Sequence, residues 1–209
     1  MLKFRRTLLL LMLLQVLATL DAATTTGALY AKLQSAYKGL SSFQADVQQI
    51  NYYPALKRSI SYRGKIWFTP GRMLLSFTQP SVQRLLIQNG RVELYDASSN
   101  TLFRSAMAPE FGKMNPVEIL QLYWSKSTVS LVSEDKSSAS VKLVPRQDAL
   151  VKSLSATLNK NSGLVGKLSY TDKSGNSVTY NFSGIKVGAG IAASVWNQAY
   201  PKGVQIIEQ

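Results

Sequence analysis

The chain has 209 residues, 24 Lys and Arg against 11 Asp and Glu, and a formal net charge of +13. It has no Cys and no His. That excludes disulfides, thiolate or imidazole metal sites, and Ser-His or Cys-His nucleophile pairs. The length suits one domain with a sizeable core.

Residues 1–22 have the features of a secretory leader. Lys3, Arg5 and Arg6 form a basic start, Leu8 to Leu17 is apolar, and small residues follow at Ala18, Ala22 and Ala23. The apolar run falls short of the ~20 residues a bilayer span takes. Cleavage is expected after Ala22, with Ala18 the alternative. No Cys stands at the junction, so the processed chain is not itself a lipoprotein. Residues 23–209 then form a single domain.

Thr24 to Leu40 is expected to be a helix. Thr25 or Thr26 can cap it, and Leu29, Leu33, Ala36, Tyr37 and Leu40 make one apolar stripe. Phe43 to Asn51 alternates as a first strand, and Tyr52-Tyr53-Pro54 is a loop. From Ser59 the alternation is strict. Ile60, Tyr62, Gly64, Ile66 and Phe68 face one way, while Ser59, Ser61, Arg63, Lys65 and Trp67 face a mostly wet side. Pro70-Gly71 turns the chain. Met73, Leu75 and Phe77 then share a face, with Arg72, Leu74 and Ser76 opposite, until Pro80 ends the strand.

Gln83 to Asp96 is a second hairpin about Asn89-Gly90. Ser98-Ser99-Asn100 is a turn and Ala106 to Gly112 is irregular. Asn115-Pro116 opens a short apolar helix through Trp124. Five strands follow: Val129–Val132, Ala139–Val144, Ser153–Leu158, Gly166–Asp172 and Ser177–Ile185. The glycines at Gly188 and Gly190 read as a bend, since they lack the Lys and Ser/Thr of a phosphate loop. The pattern predicts a mainly β (α+β) protein built on an antiparallel sheet or barrel.

Candidate chemistry is sparse. Glu134-Asp135 sits in a turn as a solvated pair, and Asn181-Phe182-Ser183 lies inside a strand, out of reach as a glycosylation acceptor. No catalytic residue, metal ligand or cofactor site is expected, and the chain is not expected to be an enzyme.

In order, the motifs are Ser42-Phe43-Gln44-Ala45-Asp46-Val47-Gln48-Gln49, Gly64-Lys65-Ile66-Trp67-Phe68, Pro70-Gly71-Arg72, Gln79-Pro80, and Asn89-Gly90 with Tyr95-Asp96. Later stand Leu143-Val144-Pro145, Asp172-Lys173-Ser174-Gly175-Asn176 with Phe182, and Tyr200-Pro201-Lys202-Gly203-Val204. This sequence resembles the LolA family of periplasmic outer-membrane lipoprotein carriers over nearly the whole processed chain. The resemblance implies a curved, incomplete antiparallel barrel with a helical lid over an apolar cavity. It implies periplasmic passage of acylated lipoproteins from an inner-membrane ABC transporter to an outer-membrane acceptor. Two positions depart from the pattern. Thr69 stands where the family has an Arg that latches the lid, and Glu93 stands where an aromatic is usual. Two other readings stay open: a carrier of another lipid or glycolipid, and a lipid-sensing regulatory domain on the same fold.

On this reading Ile60, Tyr62, Ile66, Phe68, Met73, Leu75 and Phe77 line the cavity, and Leu33, Tyr37, Ile119 and Tyr123 line the lid. A filled core is the alternative for any one of them. The positive charge suits anionic headgroups or an acidic partner, or serves solubility alone. Export argues against nucleic acid, and the chain is expected to be a monomer.

Overall fold

The computed structural model describes residues 24–107 and 116–208. The expected leader, the stretch at 108–112 and the Asn115 cap lie outside the described residues. Twelve strands form one sheet: β1 (Phe43–Tyr53), β2 (Arg58–Thr69), β3 (Arg72–Gln79), β4 (Gln83–Gln88), β5 (Arg91–Asp96), β6 (Thr101–Ala106), β7 (Ser127–Glu134), β8 (Ser138–Pro145), β9 (Val151–Asn159), β10 (Val165–Asp172), β11 (Ser177–Val187) and β12 (Gln205–Glu208). Two α-helices, α1 (Thr26–Tyr37) and α2 (Pro116–Lys126), accompany it among the described residues. The spatial order is β12-β6-β5-β4-β3-β2-β1-β11-β10-β9-β8-β7, so β12 and β7 are edges and the barrel stays open. All neighbours are antiparallel except β12, which runs parallel to β6.

Turn chemistry sets the hairpins. Gly71 has φ 82°, which only a residue without Cβ adopts freely after Pro70. Asn89 and Gly90 both have positive φ, 53° and 71°, as a tight two-residue hairpin turn requires. Curvature comes from irregular register. The β1–β11 pairing shifts between Gln44 and Asp46, and β2–β3 shifts between Arg63 and Gly64. At Gly64 the two strands close in so far that a Cβ would lie 1.9 Å from the Ser76 carbonyl oxygen. Shifts and a strand glycine of this kind let a sheet coil tightly.

Thr25 caps α1, its Oγ1 accepting from the Ala28 N–H at 3.1 Å. Leu29, Leu33 and Tyr37 point into the main core. The Tyr37 hydroxyl accepts from the Val165 N–H at 3.1 Å, which fastens α1 to the start of β10. Burial pushes that hydroxyl's pKa up. The Tyr30 ring stacks on Trp124 at 5.2 Å and joins α1 to α2.

The outer face of β2–β6 differs from the expectation. Trp67 and Leu74, read as facing water, belong to a second core with Leu86 and Trp196. The C-terminal segment lies over this face and keeps water out. Glu93 ties it down: its carboxylate accepts from Arg104 Nε at 2.9 Å and from the Tyr200 hydroxyl at 2.6 Å. Burial, then the bond to Glu93, pushes the Tyr200 pKa well above its ordinary value. The carboxylate at this position therefore anchors the strap. Two strands, β6 and β12, stand where the sequence pattern gives none, and Ala106 ends β6 instead of opening an irregular stretch.

Candidate functional site

The inward faces of the coiled sheet and the underside of α2 enclose a cavity of about 620 Å³. Each strand contributes by parity. β1 to β4 supply Val47, Ile66, Met73, Leu75 and Leu85. β9 to β11 supply Val151, Leu154, Leu168, Tyr170, Tyr180 and Phe182. Ile119, Leu122 and Tyr123 come from α2. A void of this size is typical of a site for a drug-sized or lipid-sized ligand, and close-packed interiors do not leave one by accident. Leu122 and Tyr170 line it yet are 41% and 38% exposed, so the cavity opens to solvent at these two residues.

Of the residues singled out in the sequence, Ile66, Met73, Leu75, Ile119 and Tyr123 lie on the wall. Phe68 and Phe77 are buried in the core beside it, and Leu33 and Tyr37 are core contacts of α1. Tyr62 packs on Phe77, ring centres 5.4 Å apart, and Ile60 is half-buried further along β2; neither reaches the wall. The β9–β11 contribution is not among the residues read from the sequence. Its signal is present as apolar parity in Leu154-Ala156-Leu158 and Tyr180-Phe182, diluted by intervening Ser, Thr and Asn.

The apolar surface continues past the cavity. Strand register links Ile66, Leu75, Leu85, Leu94, Phe103 and Ile207 in one row from β2 to β12.

Among the described residues, the polar groups that the lining side chains carry are the three tyrosine hydroxyls. Tyr123 donates to Asp148 Oδ2 at 2.8 Å. Burial, with the Asp148 bond and charge added, pushes Tyr123 up to about 12. Asp148 is held below the usual carboxylate range by the Val151 N–H, the Tyr123 hydroxyl and the Leu150 N–H. That bond and the Tyr30–Trp124 stack hold α2 over the cavity, while Thr69 pairs with Arg72 in the β2–β3 hairpin. Tyr180 is also pushed up to about 12, chiefly by burial. Among the described residues no group of three His, Cys, Asp or Glu could hold a metal, and no helix is long and apolar enough to cross a membrane. A wall of this composition can shelter apolar matter; it supplies no acid-base pair.

A family model described as outer membrane lipoprotein carrier protein LolA matches residues 38–198. The chain belongs to the LolA family. An uncharacterised conserved protein from Thermus thermophilus shares the fold, with TM-score 0.55 and 14% identity over 89% of this chain and 100% of that one. MucB of Pseudomonas aeruginosa, solved with MucA, gives TM-score 0.49 and 17% identity over 82% of this chain and 60% of that one. A LolA superfamily protein from Nitrosomonas europaea gives 0.41 and 14% over 84% and 99%. At 14% identity the likeness to the Thermus protein speaks for the fold alone. No curated protein matches the sequence. The LolA-family fold here is an open, curved sheet of twelve strands with its apolar cavity under α2.

Proposed function

We propose that the protein is a periplasmic carrier, exported by its leader, that holds the acyl chain of a lipoprotein in this cavity and moves it from the inner to the outer membrane. The observation that carries the reading is the cavity itself: lined by apolar side chains apart from three tyrosine hydroxyls, ligand-sized, and open to solvent at Leu122 and Tyr170. An acyl chain of about sixteen carbons leaves water with a gain on the order of 12 kcal/mol at ~0.8 kcal/mol per CH₂. That gain suffices for tight holding without any polar anchor. The protein binds and releases; it does not catalyse. Its donor is an inner-membrane ABC transporter and its acceptor sits at the outer membrane, in keeping with the family's description as lipoprotein carriers.

The test is mass spectrometry of what co-purifies from the periplasm. Acylated polypeptide is the expected result. Free phospholipid or glycolipid alone would replace the lipoprotein cargo with another lipid, and the absence of any acylated molecule would refute the carrier.

A further inference from the structure

Three loops meet at the mouth end of the sheet. The β1–β2 connection carries Leu56, the β8–β9 connection carries Leu150, and the β10–β11 turn carries Lys173 and Gly175. They are in contact. Lys173 N–H donates to the Leu150 carbonyl at 3.0 Å, and Val151 pairs with Asp172 across the ladder. A Cβ on Gly175 would lie 3.4 Å from the Pro54 ring. Leu150 adjoins Val151, which lines the cavity, so this rim borders the opening.

The rim exposes what a soluble protein normally hides. Leu150 is 76% exposed and Leu56 is 71% exposed, the two highest values among the large apolar side chains of the described residues. Tyr52, an amphipathic ring suited to a membrane interface, is exposed beside them. Lys57 and Arg58 directly follow Leu56 and Lys152 lies two residues past Leu150; all three are exposed and have no ion-pair partner among the described residues. Lys173 faces Asp148. The two acids of the rim are already engaged: Asp148 accepts from the N–H groups of Leu150 and Val151, and Asp172 accepts from Asn176.

We propose that this rim, with Leu56 and Leu150 as apolar prongs among Lys57, Arg58, Lys152 and Lys173, docks the protein onto an anionic phospholipid bilayer. Exposed apolar side chains interleaved with exposed cations, three of them without an ion-pair partner among the described residues, match a headgroup layer whose surface is negative and whose interior is apolar. Neither feature alone selects a bilayer; the two together do. The inference rests on the carrier reading only for its purpose, which is to set the cavity mouth against the membrane during loading or release.

Vesicle flotation tests it, using the protein expressed from the full sequence and isolated in the form the cell makes. Vesicles of phosphatidylglycerol with phosphatidylcholine are compared with phosphatidylcholine alone. Wild type is expected to float with the anionic vesicles and to be released as salt rises, since each basic side chain at the surface is worth about fivefold. L56Q/L150Q and K57E/R58E should each lose at least tenfold, while V132Q, an exposed apolar site at the far end of β7, should match wild type. All variants should keep wild-type binding of a fluorescent fatty acid. Equal flotation of L56Q/L150Q and wild type, equal binding to both vesicles, or an equal loss in V132Q overturns the docking surface. Normal flotation with no fatty-acid binding supports the docking surface and removes the carrier reading instead.

Discussion

Leu74 and Leu75 are neighbours on β3 that face opposite sides, and both are buried. Leu74 fills the outer core against Leu86 and Trp196, whereas Leu75 borders the cavity of about 620 Å³. Truncating Leu74 to Ala removes three carbons, about 2.4 kcal/mol of transfer energy at ~0.8 each, and leaves a new void besides. The expected loss is about 3–4 kcal/mol. At Leu75 the void already exists, so the cost is close to the transfer part, about 2 kcal/mol. Thermal unfolding by circular dichroism separates them, because each kcal/mol shifts Tm by roughly 2–4 °C in a chain of this size. A fluorescent fatty acid gives the second readout. Leu75→Ala should weaken it severalfold, and Leu74→Ala should leave it within about twofold. Equal stability losses together with no change in probe binding for either variant would mean that the inner face is an ordinary filled core.

Other expectations concern the lid and the sheet. Tyr123→Phe removes the bond to Asp148 at the cost of about 1 kcal/mol, so hydrogen exchange across α2 should quicken about fivefold while the rest of the sheet is unchanged. Tyr123 and Tyr180 both titrate near 12 in the folded protein, above the ordinary value near 10. Their contribution is therefore complete below pH ~10 and is lost as pH rises through about 12, which tyrosinate absorbance and circular dichroism should record as coincident transitions. Gly64→Ala forces a Cβ into the Ser76 carbonyl, so β2 and β3 must separate. It should prevent accumulation of folded protein, and normal expression with an unchanged Tm would contradict the tight coil at that point.

The strands with strict alternation and strong turn signals are legible in the sequence, because both properties are local. The β2–β3 hairpin needs only its period of two and Pro70-Gly71. β6 is hidden because Leu102 and Phe103 break the alternation, one facing each side of the sheet. β12 is four residues long and takes its partner about a hundred residues upstream, a pairing no local pattern reports. Trp67 and Leu74 look wet in the sequence because the segment that covers them, around Trp196, is remote along the chain. The site is only half legible for a further reason. Phe77 and Leu75 are the same kind of residue on the same face, yet one fills the core and the other borders empty space. That division is set by where the sheet bends, at Gly64 and near Asp46, and curvature belongs to the whole sheet.

Photocrosslinking tests the central claim most directly. A phospholipid or lipopeptide whose acyl chain ends in a diazirine is bound to the protein, irradiated, and the labelled residues are identified by peptide mass spectrometry. The account predicts labels on Met73, Leu75, Tyr123, Leu154 and Tyr180, which come from four different elements and share the cavity wall. Labels confined to the outer face around Trp196 or to the β7 edge, with none on the cavity wall, would contradict it.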